Sequence, residues 1–252
     1  MGGGQIAVGW KRGGFLGVLL VAAGSAFWGT DGVLRVPLVE QMSPAAIVFA
    51  EHLILAVYSV PAVVLGRRAF GGLRVSGWAA LLVIGWGGSA LATLFFTAAF
   101  AVGNPTVAIL LQKTQPLFAA LLAGVLLRER LGWRYWGVFT VAVVGAYLIS
   151  FGSLEPFGEL ETAETLTALL ALGAALLWGS STVLGRFVLA DMPFHTLTGA
   201  RLLLGLPLLG VIVAAQGSLR EVQTGLAADP GRLVQRGSRW RRLSNACRAD
   251  IV

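Results

Sequence analysis

Charged residues are scarce in this chain of 252 residues, where Asp, Glu, Lys and Arg together make up 12%. Soluble domains carry about 25% charged residues. Half that charge, with 56% hydrophobic residues and a mean hydropathy of +0.79, predicts that lipid surrounds most of the chain. The one cysteine, Cys247, excludes an intrachain disulfide and a cysteine-based metal site. The two histidines, His52 and His195, show no metal-binding spacing, so we predict neither a metal nor a cofactor.

Several functional motifs are also missing. The formal net charge of +7 does not indicate nucleic acid, because basic residues cluster on short connectors and a tail and do not alternate with exposed aromatics. The sequence has no GxxxxGK loop for a nucleotide, and no GxSxG, HExxH or paired catalytic aspartates. These absences argue against nucleic-acid binding, ATP-driven pumping by this chain alone and intramembrane catalysis.

Long apolar runs are what the sequence does contain. A bilayer span takes about 20 mainly apolar residues. Seven stretches qualify: roughly 14–38, 44–66, 77–101, 104–127, 133–151, 166–190 and 194–216. Backbone groups in lipid must be paired within each segment, and the alternating pattern of a membrane barrel is absent. The sequence therefore predicts an all-α membrane protein.

Basic residues are distributed unevenly between the ends of these spans. With the N-terminus inside, the cytoplasmic side receives basic residues at 11–12, 67–74 and 128–134. The opposite side receives Arg35 and a connector with four glutamates and no basic residue. Because cytoplasmic loops carry an excess of Lys and Arg, we predict a multi-pass protein of the bacterial cytoplasmic membrane with its N-terminus in the cytoplasm.

An internal repeat appears when the chain is shifted by 150 residues. Trp28-Gly29 then falls on Trp178-Gly179, and Met42 falls on Met192. The two copies begin five helices apart, an odd number, so they should have opposite orientations in the bilayer. Inverted repeats are typical of secondary transporters.

The repeat divides the chain into five parts. We predict a cytoplasmic N-terminus at 1–13, a first five-helix repeat at 14–151, an acidic external connector at 152–165, a partial second repeat of two helices at 166–216, and a basic, non-spanning, disordered tail at 217–252. Where a second copy would continue with apolar helices, residues 228–252 are rich in arginine. We interpret this end as truncated or frame-shifted; the alternative is a genuine short variant.

Several short motifs occur in an order seen in a known family. They are Trp28-Gly29 with its echo Trp178-Gly179, Ser43-Pro44, Gln115-Pro116-Leu117 and the LLRERL run at 126–131, with Glu129 in its acidic position. In these motifs the chain resembles the EamA-domain branch of the drug/metabolite transporter superfamily. The resemblance implies a ten-helix exporter of amino acids, metabolites or drugs, built from two inverted five-helix repeats, which works by alternating access.

The chain departs from that family pattern in two places. Counterparts of helices eight to ten are not found, so a helical membrane protein without transport activity is the alternative function. Glu51-His52 also stands where many relatives carry an arginine, whereas the equivalent position of the second copy, Arg201, keeps it. Substrate identity, coupling ion and oligomeric state stay open.

Three polar side chains, Gln112, Lys113 and Gln115, interrupt the middle of the fourth span. A lysine at the centre of a span costs about 2.5–3.5 kcal/mol, and such a residue usually marks a cavity or pathway. Pro116 cannot donate a backbone hydrogen bond, which predicts a kink beside them. We predict a polar face on a central cavity that binds a small-molecule substrate. The alternative is hydrogen bonding between helices.

Glu51 is the predicted partner of Lys113, because both lie near the centres of their helices. The pair could hold the charged ends of an amino-acid-like substrate, titrate with proton coupling, or form a static bridge. His52 could relay protons or be an ordinary satisfied side chain.

Arg201 and two tryptophans complete the candidate binding residues. Arg201 could bind an anion or pair structurally, and Trp28 and Trp178 could form pocket walls or anchor at the membrane interface. Asp31 is expected to be an interfacial polar residue near the external mouth. Gly85 and Ser89, four residues apart on the third span, are predicted to allow close helix packing.

Overall fold

The structure, a computed structural model, describes residues 12–126, 132–151 and 162–227. Four predicted features lie wholly or largely outside these residues. They are the N-terminal segment, the loop that contains Glu129, most of the acidic connector, and the arginine-rich end at 228–252.

The described residues form helices and turns, without a strand, so the predicted all-α class is confirmed. The helices are α1 (Arg12–Val39), α2 (Pro44–Leu65), α3 (Val75–Val83), α4 (Ala92–Val102), α5 (Pro105–Gln112), α6 (Gln115–Leu126), α7 (Trp133–Phe151), α8 (Thr162–Val188), α9 (Phe194–Ala215) and α10 (Leu219–Ala227). A 3-10 helix, Arg67–Gly72, follows α2, and a π-helix, Ile84–Leu91, joins α3 to α4 in one continuous span.

Six helical segments in the described part of the chain are long and apolar enough to cross a membrane. They are Phe15–Val39, Pro44–Leu65, Val75–Val102, Pro105–Leu126, Thr162–Val188 and Phe194–Ala215. Each coincides with a predicted span. The remaining predicted span, 133–151, forms the 19-residue helix α7 but is not among these six.

The predicted disordered tail needs a correction at its start. Residues 219–227 form the helix α10, which packs on the beginning of α2 with Val222 buried against Ala45 and Ala46. Glu221 on α10 also accepts a hydrogen bond from the backbone N–H of Ser43 at 2.7 Å. Helix α10 was not predicted because it is amphipathic and contains no apolar run long enough to cross a bilayer.

The two copies of the repeat meet where α2 packs on α9. The bounds of α2, Pro44 and Leu65, lie 150 residues before the bounds of α9, Phe194 and Ala215. Close approaches run in opposite directions along the two helices, from Gly199 against Ser59 to Gly210 against Phe49. The helices are therefore antiparallel, which is the relation that inverted copies require.

Gly199 allows this close packing, and a substitution there tests it. An added Cβ would lie 2.8 Å from the backbone oxygen of Ser59 and 3.2 Å from the Cβ of Ala62. Gly210, on the same helix, has only ordinary contacts, with Phe49 at 3.6 Å. Gly→Ala gains up to about 1 kcal/mol of helix propensity at either site, whereas overpacking costs about 1–3 kcal/mol.

We expect Gly199→Ala to lower the melting temperature of the detergent-solubilised protein, and Gly210→Ala to leave it unchanged or raise it. Thermal unfolding followed by tryptophan fluorescence makes the comparison. Equal melting temperatures for the two variants would contradict a tight α2–α9 contact at Gly199.

Candidate functional site

The fourth span is broken at its polar centre. Helix α5 ends at Gln112 and α6 begins at Gln115, with a turn between them. In that turn the N–H groups of Lys113 and Thr114 donate to carbonyls three residues back, at 3.1 and 3.0 Å. Pro116 has no N–H to offer the carbonyl of Gln112, four residues before it. The α-helical hydrogen bonding is thus interrupted at the position where Pro116 predicts a kink.

A cavity of about 440 Å³ opens at this break. It is lined by Trp28, Gln112, Lys113, Gln115, Pro116, Trp178, Ser181, Thr182 and Arg201. Six of the eight predicted binding residues therefore surround one space, although α1, α5, α6, α8 and α9 supply them. Binding of a substrate by these six residues stays a prediction.

Aromatic rings form one wall of the cavity. The rings of Trp28 and Trp178 meet edge to face, with centroids 5.7 Å apart and planes at 78°. Phe96 packs behind both, 6.4 Å from Trp28 and 5.3 Å from Trp178. Trp178 is buried, whereas Trp28 is 45% exposed. Trp28 thus offers ring surface that a ligand can cover.

Amides and hydroxyls form a second side. Gln112 donates to Gln115 at 3.2 Å, and Gln115 donates to the hydroxyl of Thr182 at 3.4 Å. Within the described part of the chain, nothing donates to the buried Oε1 of Gln112. A buried acceptor without a partner costs about 1–3 kcal/mol.

The charge in the cavity is positive. Lys113 and Arg201 both line it, and no lining residue is acidic. Arg201 donates to the hydroxyl of Ser89 at 2.8 Å, and Ser89 lies in the π-helix of the third span. Among the described residues, no carboxylate lies within 4.0 Å of either cation. The cavity therefore favours ligands that carry negative charge or several hydrogen-bond acceptors.

The predicted Glu51–Lys113 pair is wrong. Glu51 lies 3.0 Å from Nη2 of Arg35, which also binds Asp31 and donates to Thr97. Arg35 was predicted to lie on the external side, but its side chain is 5% exposed and contacts α2 and α4. A buried guanidinium requires anionic partners, and Asp31 and Glu51 supply them.

His52 also lies away from the cavity lining. Its Nδ1 is 2.9 Å from the carbonyl oxygen of Val48, one helical turn earlier, and its ring packs against Gly205 of α9. His52 thus lies between two helices with its Nδ1 bonded, while its buried Nε2 has no hydrogen-bond partner among the described residues, so the alternative of a satisfied polar side chain is met at one ring nitrogen only. Glu51 and His52 were predicted to line the cavity, and they do not.

Other polar residues of this region were not predicted to be site residues, and Ser89 was expected only to allow close helix packing. Ser181 and Thr182 line the cavity, and Ser89 holds Arg201. Ser181 and Thr182 lie two and three residues after Gly179 of the Trp178-Gly179 motif. Thr182 could have been predicted to line the same cavity as Trp178, because residues four apart on a helix lie on one face.

Two comparisons with known proteins agree with this architecture. The sequence model of the EamA-like transporter family matches residues 15–151. The chain belongs to this family. It is also 31% identical over 207 residues to the riboflavin transporter ImpX of Fusobacterium nucleatum, an alignment that covers 78% of this chain and 67% of ImpX. No solved structure matches the chain.

Membership in the EamA-like transporter family fixes the general function. With its membrane-spanning helices, the chain is a multi-pass membrane transporter. The matched residues, 15–151, nearly coincide with the predicted first repeat at 14–151. The second tryptophan and Arg201 lie beyond the matched residues, so the cavity joins the matched region to the second copy.

The two sets of polar residues should differ in their effect on stability. Removing Arg35 leaves two carboxylates facing each other, and breaking a fully buried pair costs about 3–5 kcal/mol. Since the two acids are 27% and 33% exposed, we expect a smaller loss of about 1–3 kcal/mol for Arg35→Met. Lys113 is exposed to the cavity, so Lys113→Met should change stability by less than about 0.5 kcal/mol.

Thermal unfolding of both variants in detergent checks this order. The double variant Arg35→Met with Glu51→Gln should regain part of the lost stability, because one uncompensated carboxylate is gone. A Lys113→Met variant less stable than Arg35→Met would contradict the assignment of Arg35 to a stabilising ion-pair centre and of Lys113 to the cavity.

Proposed function

We propose that this protein is a secondary transporter that moves a small, flat, acceptor-rich molecule of the flavin class. The substrate binds in the cavity beside the broken fourth span, and rocking of one repeat against the other exposes it to each side of the membrane in turn. Secondary transporters built from inverted repeats bind substrate near the bilayer midplane, at discontinuous helices between the repeats.

The observation that carries the proposal is the meeting of Trp28 and Trp178 on one cavity. They occupy equivalent positions of the two copies, and their rings touch across the interface between α1 and α8. A site shared by both copies is changed by any movement of one against the other. That is the property that alternating access needs.

The lining supports a planar substrate with hydrogen-bonding edges. The exposed face of Trp28 can stack on an aromatic ring, and Gln112 and Gln115 can pair with carbonyl and N–H groups at its edge. The isoalloxazine ring of a flavin combines these features. The similarity to a riboflavin transporter supports the same class.

We also propose the direction and orientation of transport. The family resemblance implies export, with the protein in the cytoplasmic membrane and its N-terminus inside. The exposed cluster Arg67, Arg68 and Arg74 between α2 and α3 supports this orientation, because cytoplasmic loops are enriched in basic residues. Riboflavin movement in right-side-out and inside-out vesicles tests the direction.

Truncating Trp28 tests the stacking surface. Stacking of an aromatic ligand on such a ring is worth about 1–3 kcal/mol, so Trp28→Ala should weaken riboflavin binding roughly 5- to 150-fold. The control is Trp86→Ala, since Trp86 is 44% exposed, close to the 45% of Trp28, but lies outside the cavity lining. Equilibrium binding to the purified full chain is measured by the quenching of riboflavin fluorescence. Equal affinities of the two variants would contradict stacking on Trp28.

Removing the charge of Lys113 tests the cationic side. We expect Lys113→Met to abolish riboflavin movement in proteoliposomes while insertion and folding stay intact. Arg220→Met, which removes an exposed cation on α10 away from the cavity, should transport like the wild type. Unchanged transport by Lys113→Met would remove Lys113 from the site. Failure of the wild-type chain to move or bind any flavin would overturn the proposed substrate class.

A further inference from the structure

A second polar centre lies between α1, α2 and α4, apart from the cavity lining. Arg35 contacts the carboxylates of Asp31 and Glu51 at 2.9 and 3.0 Å, and it donates to the hydroxyl of Thr97 at 2.6 Å. One guanidinium thus faces two carboxylates. With both acids ionised, this centre carries a net charge of −1 within the membrane-spanning part of the protein.

The two acids are held unequally. Asp31 accepts two hydrogen bonds from Arg35, from Nε and Nη2 at 2.9 Å each, and it lies on the same helix. Glu51 reaches Arg35 from α2 through one contact. Because paired charge-assisted hydrogen bonds are the stronger arrangement, Arg35 holds Asp31 more firmly than it holds Glu51. The ion pair of Glu51 is therefore the one that a proton can break more easily, and the side chain of Glu51 is 33% exposed.

No second cation of the described residues compensates Glu51. On the neighbouring helices, Arg201 of α9 is bonded to Ser89, and Lys113 between α5 and α6 lines the cavity without a carboxylate within 4.0 Å. His52, the next residue on α2, is turned to the carbonyl of Val48, and Glu221 of α10 binds the N–H of Ser43. The excess negative charge therefore remains on the Arg35 centre.

We propose that Glu51 is the proton-binding group that couples transport to a proton gradient, a step that rests on the proposed secondary transport. One proton adds to the carboxylate of Glu51 and breaks its ion pair with Arg35. Arg35 then keeps a neutral pair with Asp31 on α1. The proton leaves to the other side of the membrane, and the ion pair between Glu51 and Arg35 then forms again.

Protonation at Glu51 reaches the cavity through helix packing. Its ion pair ties α1 to α2, and α2 packs along α9, which carries Arg201 into the cavity. Trp28 of the cavity wall lies on α1, seven residues before Arg35. Breaking the tie frees α1, with Trp28, from α2 and α9, with Arg201. Proton and substrate thus act on the same pair of elements.

Two assays with reconstituted full-length protein separate coupling from substrate movement. Counterflow exchanges riboflavin inside and outside the vesicles at equal pH, and it needs the substrate site but no net proton transfer. The second assay measures the accumulation of riboflavin driven by a pH gradient of about two units, applied in each direction in turn. Exchange of one proton for one riboflavin gives about tenfold accumulation per pH unit. The variants are Glu51→Gln, Glu51→Asp and the control Glu40→Gln, an exposed acid just beyond α1.

We expect Glu51→Gln to keep counterflow within about twofold of wild type and to lose accumulation under both gradients, because a neutral amide cannot exchange a proton. Glu51→Asp and Glu40→Gln should keep both. Gradient-driven accumulation by Glu51→Gln would overturn the proposal, as would wild-type accumulation that ignores both gradients. Loss of counterflow in Glu51→Gln would show a structural role and overturn it too. Absent counterflow in the wild type would instead count against the proposed substrate.

Discussion

The structure depends on one constraint, which is that polar groups within a bilayer must be paired or must face a cavity. The fourth span meets this constraint at its break. Pro116 leaves the carbonyl of Gln112 without its helical donor, and the amides of Gln112 and Gln115 lie beside it. Tyr135 of α7 donates to the carbonyl of Leu117, just beyond the break, at 2.8 Å. Polar backbone and polar side chains are thus concentrated at one level, where the cavity opens.

Small residues allow the helices around the cavity to pack closely. Gly199 brings α9 against α2, and Gly85 brings the π-helix against Leu204 of α9. In lipid, helices associate through such contacts because apolar surfaces gain little by leaving the hydrocarbon. The π-helix also carries Ser89, which holds Arg201 at the cavity. Packing and site geometry therefore share the same segment, as is frequent for π-helical insertions.

The sequence predicts features that depend on local chemistry. The break at Pro116 follows from a missing N–H, and the equivalence of Trp28 and Trp178 follows from the repeat, whereas the contact between their two rings was not predicted. The partner of Glu51 could not be predicted in the same way. It depends on how α1 is rotated about its axis, and one residue of rotation moves a side chain by about 100°. Depth in the membrane suggested that Glu51 and Lys113 could meet, but the rotation of α1 brings Arg35 to Glu51 instead.

The same 150-residue relation explains why two polar centres coexist. Asp31, Arg35 and Glu51 in the first copy correspond to Ser181, Gly185 and Arg201 in the second. Ser181 and Arg201 line the cavity, so one copy presents acids around a guanidinium where the other presents a hydroxyl and a cation to open space. The cavity presents two cations and no acid, whereas the space beside Asp31 and Glu51 is filled by Arg35. Divergence of the two copies thus separates the centre that we propose for proton binding from the cavity that we propose for the substrate, and both are attached to the same antiparallel pair, α2 and α9.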